Sequence, residues 1–223
     1  MSVLIYPSAA LAEKAAATIL AAELLENPYA TVGILYDSVL DNVYHAVRSM
    51  AKDGVVSFEN HRFYQLCEFV PSEEGGTSIR GLLKESLFSD CGPDDAQYVV
   101  PYDPQKNWAE ICARFEEDIL EHGGLDFTVL TLRPDGSLLY NLAGEDLAPV
   151  THVELIGKEK VVSAGMATVM RSKKLIVYAA GDDVADAAAK ALGGAVSNQQ
   201  PASYLQLHQN VTFILDDKAA SLL

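Results

Sequence analysis

The runs Ala30-Thr31-Val32-Gly33-Ile34-Leu35-Tyr36 and Leu125-Asp126-Phe127-Thr128-Val129-Leu130-Thr131-Leu132 most constrain how this chain can fold. Both are nearly continuous in apolar and β-branched residues, the content of strands covered on both faces. Helical patterns of about ten to fifteen residues alternate with such runs, which is the signature of βαβ units and a largely parallel sheet. The fold class expected is therefore α/β, Rossmann-like, with helices on both faces of the sheet.

Local signals place the elements. Val3–Tyr6 is a short apolar strand, and Ser8 caps an alanine- and leucine-rich helix reaching about Glu26, where Asn27-Pro28 ends it. A helix is expected over Val39–Met50, a third strand near Arg62–Phe69, a loop over Pro71–Thr77 and a helix near Ile79–Phe88. Tyr98–Pro101 is extended. Asn107 caps a helix that runs to His122 and stops at Gly123-Gly124. Leu132 leads into the turn Arg133-Pro134-Asp135-Gly136. Lys160–Ala164 and Leu175–Ala180 are strands, Gly165–Ser172 is a short helix or turn, and Asp182–Leu192 and Pro201–Leu207 are helical, with Val211–Leu215 the last strand. No composition shift marks a linker, so residues 1–223 are expected to form one domain.

The net charge of −15, with no cluster of Lys or Arg to offset it, opposes binding to nucleic-acid phosphates or anionic membranes. A small phosphorylated ligand remains compatible, because a helix N-terminus and one or two cations suffice to hold it. Cys67, Cys91 and Cys112 are odd in number and form no C-x-x-C pair, which fits a reducing cytoplasm. The N-terminus lacks a basic segment followed by an apolar run, so no signal peptide is read there, and no run is long enough to span a bilayer. No metal or cofactor is expected. His45, His61 and His122 read as surface residues, and His152 as a loop or strand residue.

Several segments in one order carry a family resemblance. Val55-Val56-Ser57-Phe58 followed by Leu66-Cys67-Glu68-Phe69-Val70 resembles V-S-F … M-D-E-Y-V. Cys112–Ile119 with Gly123-Gly124-Leu125-Asp126 resembles A-x-R-Y-E-x-x-I … G-G-I-D, and Asp135-Gly136-Ser137-Leu138-Leu139-Tyr140-Asn141 resembles D-G-H-x-A-F-N. Ser163–Met170 resembles T-V-G-V-G-T-V-L, and Ser203–His208 resembles S-x-L-Q-L-H. These are motifs of the glucosamine-6-phosphate isomerase (deaminase) family, whose relatives include the 6-phosphogluconolactonases. The resemblance spans nearly the whole chain and implies a ligand at the C-terminal ends of the strands.

Carried over residue by residue, the resemblance also shows departures. The family's base falls on Cys67, with Glu68 beside it. Its ring-opening relay falls on Asp135, Ser137 and Leu142, where the family has Asp, His and Glu. The phosphate loop falls on Ile34–Val39, with Gly33 and Ser38 as candidate ligand contacts and Asp37 in place of a glycine. Of two cationic phosphate ligands, one falls on Lys173 and the other on Val184, preceded by Asp182 and Asp183. The lid segment is shortened near 142–158. The implied catalytic positions are thus Asp135, Glu68, Cys67 and Ser137, and the implied substrate-binding positions are Gly33, Ser38 and Lys173. The function read from this is a glucosamine/galactosamine-6-phosphate isomerase-like protein with weak, altered or absent activity. A non-catalytic sugar-phosphate-binding protein and a lactonase-like hydrolase stand as alternatives. Family members commonly associate, which leaves a homo-oligomer open.

Overall fold

The computed structural model describes residues 1–70, 78–103 and 105–223, and the loop expected at Pro71–Thr77 lies outside them. Seven strands pair in parallel: β1 (Ser2–Tyr6), β2 (Thr31–Ile34), β3 (Arg62–Gln65), β5 (Tyr98–Val99), β6 (Phe127–Thr131), β9 (Leu175–Ala179) and β10 (Val211–Asp216). Their order across the sheet is β1-β10-β9-β6-β2-β3-β5. Every residue of β2, β6 and β9 is buried, as the lack of alternation in these segments required.

From β2 the chain winds outward through β3 to β5, then returns to place β6 on the other side of β2. The order reverses between β2 and β6. In an open parallel sheet such a reversal leaves a crevice at the C-terminal strand ends, the usual place for a ligand.

The run read as one strand over Arg62–Phe69 divides between two sheets. Leu66 still donates its N–H to the Ile34 carbonyl at 2.8 Å, but its own carbonyl accepts the N–H of Ala164 at 2.7 Å. The next residues, β4 (Cys67–Phe69), pair antiparallel with β8 (Glu159–Ser163), and β8 pairs with β7 (His152–Ile156). One continuous extended segment thus leaves the parallel sheet for a small antiparallel one.

Helix α1 (Ala9–Glu26) starts at Ser8, whose hydroxyl accepts the Leu11 N–H. Its stripe Ala12, Ala16, Leu20 and Leu24 is buried, and the helix packs on β10 and on α2 (Asp41–Lys52). A 3-10 turn, Ser38–Leu40, precedes α2, so the helix expected from Val39 begins two residues later. Helices α3 (Ile79–Leu83), α4 (Trp108–Glu121), α5 (Met166–Met170) and α6 (Ala185–Gly193) complete the layers. Lys84–Phe88 continues α3 as a π turn, and Pro201–Leu207 is a 3-10 helix. Among the described residues no helix is long and apolar enough to cross a membrane.

Candidate functional site

The crevice at the strand reversal is a pocket of about 400 Å³. Tyr36 and Asp37 enter it after β2, Arg133 after β6, and Asp183 after β9, with Tyr140 closing one wall. Asp37 joins the two central strands: its Oδ2 accepts the Thr131 hydroxyl at 3.0 Å, and its Oδ1 accepts the Val39 N–H at 3.2 Å. Asp37, rather than Ser38, is therefore the cap of the 3-10 turn. Tyr36 donates its hydroxyl to Asp41 at 3.3 Å. Burial and the Asp41 charge raise the Tyr36 phenol above its ordinary value.

Tyr140 reaches the pocket through a strained reversal. Leu138 and Asn141 bridge across a turn in which Leu139 is buried at φ +54°, a conformation non-glycine residues rarely hold. The Tyr140 ring then packs edge-on against Phe69, with centroids 5.7 Å apart, while the Arg133 guanidinium carbon lies 5.6 Å from its centroid. Burial pushes the Tyr140 phenol up to about 12, although Arg133 pulls it the other way.

Each of the expected catalytic positions has a structural occupation. Cys67 is buried, and burial, reinforced by the Glu68 charge, pushes its thiol up to about 12 despite the opposing pull of Arg133. Glu68, its neighbour on β4, is committed to other groups. The carboxylate accepts the N–H of Phe69 at 2.9 Å, of Ile79 at 2.8 Å and of Arg80 at 2.9 Å, plus the Gln65 amide at 2.9 Å. It ties β4 to the first turn of α3.

Asp135 is exposed, and its Oδ1 accepts the N–H of Ser137 at 2.9 Å. Gly136 in this turn has φ +78°, and a Cβ there would lie 2.1 Å from the Gln200 amide. Ser137 is fully buried, with its Oγ accepting the Ala143 N–H at 3.1 Å. Leu142 is half-buried and Val184 is buried.

Two of the expected ligand contacts do not line this pocket. Lys173 stands before β9 and donates to Asp126, which stands before β6, at 2.7 Å. It lies at the N-terminal ends of these parallel strands, about 16 Å of strand from the pocket at ~3.3 Å per residue. Gly33 lies inside β2 and faces a neighbouring strand: a Cβ there would meet Thr128 Oγ1 at 2.6 Å. Its role is close packing of β2 on β6. Ser38 is exposed beside the pocket mouth, next to Asp37. His61, expected at the surface, is buried, and its Nε2 faces the carbonyls of Leu24 and Asn27, each at 3.1 Å.

Arg133 is the pocket residue that the motif comparison passed over. Its signal was available: a cation directly following a buried strand, before a Pro-Asp-Gly turn, sits where open α/β sheets bind ligands. The pocket therefore combines one cation, two carboxylates and two phenols. Among its described lining residues none is a histidine. Among the described residues no group of three or more His, Cys, Asp and Glu side chains is placed to hold a metal ion. Such a lining can bind and orient a polar, charged molecule. The Cys67 thiol and the Tyr140 phenol are too weakly acidic to exchange protons readily near neutrality.

No family model matches the chain. A glucosamine-6-phosphate deaminase of Halothermothrix orenii is 29% identical, with both chains covered in full. A glucosamine-6-phosphate deaminase of Thermoanaerobacter sp. is 25% identical over 94% of this chain and 90% of its own. Among solved structures, a monomeric glucosamine-6-phosphate deaminase superposes with a TM-score of 0.92 at 24% identity, covering 100% of each chain. The 6-phosphogluconolactonase of Trypanosoma brucei superposes at 0.76 and 18% identity, covering 100% of this chain and 98% of its own. These likenesses establish a common fold.

Proposed function

The chain belongs to the glucosamine-6-phosphate isomerase/deaminase superfamily, and on that premise we propose that it binds an amino-sugar phosphate with deaminase activity that is weak or absent. The observation that carries this reading is the pair Cys67 and Ser137. Aldose–ketose isomerisation moves a proton between adjacent carbons and needs a base whose pKa lies near the working pH. The position matching the family's base holds a buried thiol pushed up to about 12. The position matching its relay histidine holds a serine that is fully buried and spent on the Ala143 N–H. Glu68 offers no substitute, since its carboxylate is already bonded to four donors.

Binding is supported separately from catalysis. The pocket lies at the C-terminal ends of β2, β6 and β9 and retains charged and phenolic groups with which to hold a sugar. The setting in which the reading places the protein is a reducing cytoplasm, consistent with three free cysteines.

Purified protein assayed with glucosamine-6-phosphate and galactosamine-6-phosphate tests the reading. Turnover at least a hundredfold below a typical enzyme rate of ~10 per second is expected. A rise in melting temperature with either compound is expected alongside it. Turnover within about tenfold of that typical rate would overturn the non-catalytic half of the reading, and the absence of any thermal shift would overturn the binding half.

A further inference from the structure

We propose that the pocket holds an amino-sugar phosphate with its phosphate on Arg133 and its ammonium toward Asp37 and Asp183, reversed end for end from the orientation the family's phosphate loop implies. The proposal rests on the sugar-phosphate reading above and assigns the charges within it.

The distribution of charge around the crevice carries the argument. The family resemblance places the phosphate at the loop after β2 and at the helix following β9. In this chain those two walls carry carboxylates, Asp37 and Asp183, so both repel an anion. Asp37 is held in place by Thr131 and the Val39 N–H, which fixes its charge beside the β2–β6 junction. The cation stands on the wall between them, after β6. Arg133 is exposed, and none of the ion pairs among the described residues includes it.

Its guanidinium is not merely exposed but oriented. Its guanidinium carbon lies 5.6 Å from the centroid of the Tyr140 ring, which is itself fixed by Phe69 and by the left-handed turn at Leu139. A guanidinium carries five N–H donors, so one set beside Tyr140 still has donors left for an oxyanion, in the planar fork suited to phosphate binding. An amino-sugar phosphate carries one positive and one negative end, and the pocket offers the complementary pair. Tyr36 and Tyr140 line the same pocket and add phenolic groups for the sugar's hydroxyls.

Isothermal titration of the full chain with glucosamine-6-phosphate, glucose-6-phosphate and glucosamine provides the test, using wild type, Arg133→Ala, Arg133→Lys and Asp183→Asn. Both side chains are exposed, so the variants should fold, and circular dichroism checks this. Arg133→Ala should weaken both sugar phosphates at least tenfold, with Arg133→Lys intermediate, because an ammonium lacks the planar fork. Wild type should prefer glucosamine-6-phosphate over glucose-6-phosphate, and Asp183→Asn should reduce that preference at least threefold without weakening glucose-6-phosphate. Wild-type affinity in a folded Arg133→Ala protein overturns the proposed orientation and leaves the sugar-phosphate reading standing. Equal weakening of both phosphates by Asp183→Asn, or no wild-type preference between them, overturns the ammonium assignment. Failure of wild type to bind either phosphate overturns the proposal and the reading beneath it together.

Discussion

Glu68 Oε1 accepts the backbone N–H of Ile79 at 2.8 Å, fastening the strand that leaves the main sheet to the start of a helix eleven residues further along. The same carboxylate takes the N–H groups of Phe69 and Arg80 and the Gln65 amide. Gln65 in turn accepts the Tyr98 hydroxyl at 2.5 Å, so the contact extends to the edge of the parallel sheet. A residue that resembles part of a catalytic motif is here the centre of a buried scaffold.

Removal of that carboxylate should therefore act on stability. Glu68→Ala leaves several buried donors without partners, at a cost of about 3 kcal/mol, within the range for breaking a buried network. Urea denaturation measures it through the midpoint at constant slope. A loss below about 0.5 kcal/mol, the size of an ordinary surface change, would contradict the scaffold role.

Cys67 should be inert toward thiol reagents in the folded protein. With its thiol pushed up to about 12, only about one part in ten thousand is thiolate at pH 8, against roughly a quarter for a free cysteine. Titration with a disulfide reagent should show Cys67 reacting only upon denaturation, whereas half-buried Cys91 and Cys112 are more accessible. Rapid labelling of Cys67 at pH 8, mapped by mass spectrometry, would indicate an activated thiol instead.

The buried strands β2 and β6 and the α/β class were readable because unbroken apolar runs have few other uses. Sheet changes were not: no turn residue interrupts Arg62–Phe69, so a strand that switches partners at Leu66 looks like a single strand. Motif offset alone does not show at which end of a strand Lys173 lies. A residue just before a parallel strand lies at its N-terminal end, away from the crevice, whereas Arg133, just after one, lies at the rim. His61 was unreadable because the carbonyls it meets, on Leu24 and Asn27, are more than thirty positions away.

Lys173→Ala should leave sugar-phosphate binding unchanged and slightly reduce stability. Partial burial raises the Asp126 carboxyl, but the Lys173 bond and the Thr31 donors outweigh it, so its pKa is lowered on folding. Stability from such a group is present above the unfolded value of about 3.9 and is lost as pH falls through the folded one. Lys173 is mostly exposed, which limits the loss at neutral pH to about 1 kcal/mol or less. Urea midpoints of wild type and variant should converge as pH drops from 5 toward the folded pKa, and titration calorimetry should find equal affinities. Weakened phosphate binding in the variant would return Lys173 to the ligand site.

His61 should make the fold sensitive to mild acid. Burial lowers its pKa below the ordinary 6.5, outweighing the raising effect of the carbonyls of Leu24 and Asn27. The unfolded chain therefore takes up a proton at a higher pH than the folded one. The stability contribution is complete above about pH 6.5 and declines as pH falls through the lower folded value. In the folded protein Nε2 donates to the facing carbonyls, so the neutral ring carries its proton on Nε2. Nuclear magnetic resonance of the His61 ring should report that tautomer and a midpoint below 6.5. A His61 midpoint at or above 6.5 would mean that the carbonyl pair stabilises the cation more than burial opposes it, and the acid sensitivity would then disappear.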